Sequence, residues 1–462
     1  MKFTKQLFAI TLLFCLSLTV QSQTKEFSDF LTLDTYLNAI HLKKGFSGEI
    51  LVAKGNHILF QKAVGMSSYE NNVEVETGAK YRIASITKTF TGTLIAIAQE
   101  EQKLNVQDKA SDYLNGLSPK FSAITIEQLL KHTSGLPHNE GIKDYWQTKS
   151  KLQMTTEQVI KEINTLDLLF EPGSQMHYSS LGYYVLASIL EKVYKKSFEN
   201  ILKDKVLKKL QMNETGIVDG LEIIAKMASG YHLITDDSLV VAPYRNYSML
   251  KGAGDMYSTS ADLLKWNNSF FSNTLLSEQT KEIIFAQPND STPKTGDHYG
   301  YGWYVNSEAP RKIYHGGGTW GYSTYTSIYS DENKTSIIIV SNVSILPITD
   351  IASDIEKIVF WKPFQMPTID KVSEKPVNLE MYSGDFITDE NKMVLSIIKG
   401  ENSLYAKLGG NPPFEIYPKG DHQFFGKKVE IEFTFEINDA NVVTGLSAEG
   451  MGKSFKFKKD NK

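Results

Sequence analysis

Tyr81-Arg82-Ile83-Ala84-Ser85-Ile86-Thr87-Lys88-Thr89-Phe90 places a serine and a lysine three residues apart at the head of a long apolar run. From Thr87 to Gln102 that run carries Phe90, Leu94, Ile95, Ile97 and Ala98 on more than one side of a helix, the pattern of a helix buried inside a domain. Positions i and i+3 share a helical face, so Lys88 can reach the Ser85 hydroxyl. The positive end of a helix favours a developing alkoxide and disfavours an ammonium, and burial lowers a lysine pKa further. A lysine that ionises near 10.4 in water must be brought toward 7, at about 4 kcal/mol, before it can act as a base.

Ser-x-x-Lys is a weak signal alone, for it occurs five times, at Ser22, Ser85, Ser248, Ser291 and Ser396. Context separates them. Ser22 lies beside a leader cleavage site, and Ser291 lies in a polar loop containing proline. Ser396 falls in a strand-like run, where i and i+3 point to opposite faces. Ser248 precedes the glycine-containing loop Lys251-Gly252-Ala253-Gly254. Only Ser85 opens a buried helix.

Upstream, Glu49-Ile50-Leu51-Val52-Ala53 and Ile58-Leu59-Phe60 flank Lys54-Gly55-Asn56-His57, which predicts a β-hairpin. Residues 108–287 read as mostly helical with polar loops, punctuated by Gly135-Leu136-Pro137 and Glu171-Pro172-Gly173. Strand character returns at Gly300–Val305, Lys312–Tyr314, Tyr322–Tyr329 and Thr335–Val340. Strands from both ends around a helical insert predict one α/β layer beside an all-helical subdomain. The proline-containing stretch 363–377 reads as a linker, and 378–462 as a small antiparallel β domain of short strands and turns. The expected organisation is a leader at 1–22, a main domain at 23–362, the linker, and the tail.

Further motifs stand in order behind Ser85. They are Leu129-Leu130-Lys131-His132-Thr133-Ser134-Gly135-Leu136, then Phe170-Glu171-Pro172-Gly173 with His177-Tyr178-Ser179-Ser180-Leu181-Gly182-Tyr183. Gly252-Ala253-Gly254-Asp255-Met256-Tyr257-Ser258-Thr259, Tyr299-Gly300-Tyr301-Gly302-Trp303 and His315-Gly316-Gly317-Gly318-Thr319-Trp320-Gly321 follow. Together they resemble the serine β-lactamase and penicillin-binding-protein superfamily, in its class C β-lactamase, esterase and D-aminopeptidase branch, over about Phe46 to Val343.

The resemblance implies an α+β, β-lactamase/transpeptidase-like fold, an antiparallel sheet flanked by helices plus an all-helical subdomain, and roles for single residues. Ser85 is the implied nucleophile. Tyr178 and Lys88 manage its proton as a coupled set, and His315 stands where the third motif begins. The backbone N–H groups of Ser85 and Gly318 form the implied oxyanion hole. Gly316, Gly317 and Ser180 are the implied substrate contacts. Ser180 departs from the family, which has asparagine there, and a short hydroxyl reaches less far toward a substrate amide. A literal Lys294-Thr295-Gly296 also occurs, but in a polar loop. His315 instead precedes an aromatic strand, so it is preferred, and a neutral imidazole anchors a carboxylate less firmly than lysine does. The C-terminal domain resembles the lipocalin-like tails of some relatives.

The expected activity is that of an exported serine hydrolase (EC 3.1.1, 3.4.16 or 3.5.2). It would act on small esters or D-amino-acid peptides and amides, with β-lactams or peptidoglycan-related substrates open within the same chemistry. The alternative is a penicillin-sensing or substrate-binding module that acylates without turnover. Composition narrows the partners. In 462 residues with 41% hydrophobic and 22% charged content, a net charge of −4 offers no basic footprint for nucleic acid. There is no Gly-x-Ser-x-Gly elbow, and nine histidines contain no His-Glu-x-x-His. No metal and no cofactor are expected.

Met1 to Lys5 carries two lysines, Gln6 to Val20 is almost wholly apolar, and Val20-Gln21-Ser22 suits signal peptidase. The apolar run is short of the roughly 20 residues that span a bilayer, so leader removal would leave no stable membrane span. Cys15 is the only cysteine and follows bulky Phe14 in mid-run, a poor lipidation site. The mature chain would then have none, which excludes disulfides and a thiol nucleophile and fits a periplasmic or extracellular bacterial product.

Overall fold

Side-chain alternation along paired strands builds the central sheet. The computed structural model describes residues 30–460 apart from 219, 221, 236–237, 287–296, 307, 309, 369–377, 389–392, 427–430 and 451–452. A first helix, α1 (residues 30–44), leads into the expected hairpin, β1 (Gly48–Lys54) and β2 (His57–Val64). In β1, Ile50 and Val52 join one buried cluster and Leu51 and Ala53 the other, as pleating requires of a strand covered on both faces.

Three helices of the insert matter for the site: α2 (Thr87–Glu100), α3 (Ser180–Tyr194) and α4 (Ser260–Ser269). The sheet then resumes as β3 (Asp297–Gly300), β4 (Trp303–Asn306), β5 (Lys312–Thr319), β6 (Tyr322–Tyr329) and β7 (Thr335–Ser341), followed by α5 (Ile348–Val359). The seven strands lie in the order β3-β4-β5-β6-β7-β1-β2, so the first strand of this sheet in sequence sits between its last, β7, and its own hairpin partner. Leu33, Leu37 and Ile40 of α1 and Ile351, Ile355 and Ile358 of α5 cover one face. Phe90 of α2 and Trp266 of α4 cover the other, stacked with ring centroids 3.9 Å apart.

Small sheets absent from the helical expectation also occur in the insert. Tyr81–Arg82 and Gly216–Ile217 both pair with Met256–Ser258. Strands of two or three residues carry too little periodicity to read from sequence, yet this one pins the approach to Ser85.

The tail is more than an open set of strands. Eight strands from Gly384 to Lys459 form a closed barrel, whose first strand pairs with its last at Phe386–Lys459 and Ile387–Lys458. Phe386, Ile397, Leu404, Phe433 and Leu446 fill it, and closure removes free edges. The barrel leans on the main domain through the turn after Leu408. Trp320 Nε1 donates to Asn411 Oδ1 at 2.8 Å, and His232 Nε2 lies 3.2 Å from the Pro412 carbonyl.

The leader with Cys15 and Ser22, the Ser291–Lys294 tetrad with Lys294-Thr295-Gly296, and residues 369–377 of the expected linker lie outside the described residues. No described helix is long and apolar enough to cross a membrane.

Candidate active site

Ser85 sits in a single 3-10 turn, Ala84–Ile86, that runs straight into α2. It therefore stands just outside the α-helix proper. Ala84 has φ +46°, a left-handed conformation that a residue with a Cβ adopts only under constraint. The constraint is visible on both sides. The Ile83 amide donates to the Met256 carbonyl at 3.0 Å, and Thr324 Oγ1 of β6 donates to the Ile83 carbonyl at 3.1 Å. Ser85 is partly exposed while Ile83, Ala84 and Ile86 are buried, so Ser85 is the residue of this turn that reaches solvent.

Lys88, one turn on, is completely buried. Its Nζ lies 3.2 Å from Ser85 Oγ, 3.1 Å from Ser180 Oγ and 2.7 Å from the Ala253 carbonyl. Burial pushes the amine well below its ordinary range, nearby Arg245 pushes the same way, and Asp255 opposes them. A neutral amine has two N–H donors and one lone pair. With the donors on Ala253 and Ser180, the lone pair is left for the Ser85 proton.

Tyr178, two residues before α3, brings its ring centroid within 4.8 Å of Lys88 Nζ. Its phenol oxygen is buried without a well-formed hydrogen bond. Burial raises its pKa well above the usual value, and the neighbouring Ser85 hydroxyl partly offsets this. His132 packs on the ring at 4.3 Å and His315 faces it at 6.3 Å.

His315 lies on β5, the strand beside Ser85. Burial first, and Lys88 whenever it carries a proton, bring its pKa down to about 3, so it is neutral at ordinary pH. Nδ1 lies 2.5 Å from the Gly316 carbonyl and Nε2 3.1 Å from the Tyr299 hydroxyl. A carbonyl only accepts, so Nδ1 carries the proton and Nε2 accepts from Tyr299. β4 pairs with β5 only along Lys312–Tyr314, which leaves the edge of β5 from His315 onward unpaired on that side. A Cβ on Gly317 would lie 2.3 Å from the Ile83 carbonyl and 3.2 Å from the Ser85 nitrogen, so only glycine lets the strand come this close. Around Gly318 nothing lies within 4 Å of that position, and around Gly316 only the Thr324 carbonyl does, at 3.9 Å. The strand thus offers open backbone next to the nucleophile.

The structure therefore brings Ser85, Lys88, Tyr178, Ser180, His315 and the Gly316–Gly318 backbone into one cluster. The other described tetrads do not assemble. Ser248 Oγ donates to the Leu152 carbonyl, while Lys251 goes to Thr156 and Glu191. Ser396 bonds Asp385, and Lys399 bonds Glu380.

Sequence reasoning missed three neighbours. Arg245 donates to Thr319 Oγ1 at 3.2 Å and to the Tyr145 hydroxyl at 2.6 Å, between the rings of Trp146 and Trp320. His138 reaches Ser180. Tyr299 was seen only as part of a motif. For Arg245 no local pattern points to the cleft, whereas His138, close behind the Thr133-Ser134-Gly135 turn, could have been suspected.

Comparison with known proteins shows what the chain as a whole is similar to. The family model described as Beta-lactamase matches residues 43–347. Penicillin-binding protein 4* of Bacillus subtilis (strain 168) is 28% identical over 427 residues, covering 88% of this chain and 94% of its own. The crystal structure of a penicillin binding protein from Bacillus halodurans has a TM-score of 0.61 at 25% identity, over 69% of this chain and 99% of its own. A D-amino acid amidase from Ochrobactrum anthropi SV3, complexed with D-phenylalanine, shares the fold with a TM-score of 0.60 at 20% identity, over 71% of this chain and 99% of its own.

Proposed function

The chain belongs to the beta-lactamase family, and from that membership we propose an exported hydrolase that works through a Ser85 acyl-enzyme on small esters or D-amino-acid peptides and amides. The observation that carries this reading is the fully buried Lys88 amine, 3.2 Å from Ser85 Oγ with two other acceptors already in place.

Such an amine takes the serine proton as the oxygen attacks a carbonyl. The backbone N–H groups of Ser85 and Gly318 receive the oxyanion, each donor lowering the barrier by roughly 3 kcal/mol. The buried Tyr178 phenol, neutral at rest, gives its proton to the leaving group as Lys88 hands it the proton taken from Ser85, and water then releases the acyl group by the reverse sequence. His315 is a neutral wall of the pocket that keeps Tyr299 and the β5 edge in register. The solved neighbour named a D-amino acid amidase supports the amide side of the substrate class. The lysine-rich, then apolar start supports export.

Labelling with a fluorophosphonate and a fluorescent penicillin, followed by peptide mapping, tests the reading. The expected adduct is on Ser85, with none on Ser85→Ala. An adduct on Ser248 or Ser291 overturns it. Sustained hydrolysis of an activated ester marks a hydrolase, and a single stoichiometric burst marks a sensor.

A further inference from the structure

Ser180 occupies the position where the family has asparagine, and its hydroxyl does something an amide cannot. Ser180 Oγ lies 3.1 Å from Lys88 Nζ and 3.1 Å from His138 Nε2, while His138 Nδ1 pairs with the Glu140 carboxylate. An ionised carboxylate only accepts, so Nδ1 carries a proton, and in the neutral imidazole Nε2 is then the bare nitrogen. Ser180 then donates its hydroxyl proton to Nε2 and accepts an N–H from Lys88. Lys88 in turn offers its lone pair to Ser85. The chain from Glu140 to Ser85 is continuous, and every hydrogen in it points away from the nucleophile.

We propose that His138 and Glu140 are positioning residues that draw the Ser85 proton out of the cleft through Lys88 and Ser180. As Ser85 Oγ bonds to the carbonyl carbon, its proton passes to Lys88 Nζ. A Lys88 proton passes to Ser180 Oγ, and the Ser180 proton passes to His138 Nε2. The result is a neutral lysine, an intact serine hydroxyl and an imidazolium beside a carboxylate. When the tetrahedral intermediate collapses, the protons retrace the path through Ser180 and Lys88, and Tyr178 passes one on to the leaving group.

The physical gain is where the positive charge rests. On Lys88 it would sit at a site with 0% exposure, facing only neutral oxygens. On His138 it sits on a side chain 32% exposed, against a carboxylate 50% exposed, where water and an opposite charge both stabilise it. The Tyr178 ring stacks on His138 at 5.9 Å, His132 is kept neutral by burial, and the Arg245 charge helps hold Glu140 ionised. An asparagine at 180 could hold Lys88 but could not pass a proton, so the relay depends on the serine.

The inference rests on the Ser85 acyl-enzyme reading, and its test keeps the two apart. Hydrolysis of p-nitrophenyl acetate is measured for the full chain and for His138→Gln, Ser180→Ala, Ser180→Asn and the two His138→Gln double variants, with rates in mixtures of light and heavy water. His138→Gln and Ser180→Ala should each lower kcat/KM by about ten- to a hundredfold. The Ser180→Ala/His138→Gln variant should be no slower than Ser180→Ala, because both break one chain. In the Ser180→Asn background, His138→Gln should change nothing. The wild-type rate should curve with deuterium fraction, reporting several protons in flight, and become linear in His138→Gln. Glu140→Gln, which keeps the contact but removes the charge, should lower the rate less. A wild-type rate in His138→Gln with Ser85 still labelled by fluorophosphonate overturns the relay alone, as do penalties that multiply. Activity surviving in Ser85→Ala overturns the parent reading.

Discussion

Replacing Asp255 by asparagine should stabilise the protein, and only above acid pH. Asp255 closes the Lys251–Asp255 loop that supplies the Ala253 carbonyl to Lys88. Its side chain is 4% exposed, and Oδ1 accepts the Gly252 amide at 3.0 Å. Burial raises its pKa from 3.8 to about 7. The folded state thus holds a proton that the unfolded state has already lost between those two values. Each pH unit across that window costs 1.36 kcal/mol, so about 4 kcal/mol of stability present below pH 4 is gone by pH 7. Asparagine keeps the acceptor and cannot ionise. Urea unfolding of both proteins at pH 4, 5.5 and 7.5 reads the difference, with other titrating groups cancelling between them. The gap should grow from near zero at pH 4 to about 4 kcal/mol in favour of asparagine at pH 7.5. A gap that stays constant, or narrows as pH rises, refutes the idea that this carboxyl is forced to ionise in a dry loop.

Gly317→Ala puts a methyl 2.3 Å from the Ile83 carbonyl and must push β5 away from Ser85. Turnover of an activated ester should fall about a hundredfold, as an ångström of misplacement does elsewhere, while circular dichroism stays unchanged. His315→Ala should lower turnover and Lys294→Ala should leave it nearly intact; the reverse reinstates the literal Lys-Thr-Gly. Because His315 titrates near 3, the wild-type pH–rate profile should carry no limb from it between about pH 5 and 8. Gly410→Val drives a side chain into Trp146, whose Cβ lies 2.5 Å from the Cβ position. Trp146 and Trp320 flank Arg245, so KM for bulky esters should change while kcat for p-nitrophenyl acetate holds.

Much of the fold was legible because long, strongly patterned segments declare themselves. The buried helix behind Ser85 and the strands from Thr335 to Ser341 carry runs of apolar residues that few structures can absorb. Ser85 stood out from four chance tetrads only by its context, and Lys88, Tyr178 and His315 converge on it in space. What escaped were features made by contact across large sequence distances. Arg245 meets Thr319 and Tyr145 from a loop with no periodicity. The two-residue pairing at Tyr81–Arg82 is settled by Met256–Ser258, more than a hundred residues on. Barrel closure depends on Phe386 meeting Lys459, and nothing in alternating strands tells a closed sheet from an open one.

Ser180 shows how a departure from a family pattern should be weighed. Judged alone, a shorter side chain in place of asparagine is a loss of reach toward substrate. In the folded chain the same hydroxyl accepts from Lys88 and meets His138, and a hydroxyl between them can both take and give a proton. His138 in turn is held by Glu140, two residues on. A substitution that weakens one contact thus creates another, because the first shell of a buried amine must be satisfied by whatever polar atoms the fold brings to it. The chemistry follows from that requirement: an amine without water sheds its charge, and the polar chain leading from it to the surface decides where the charge goes.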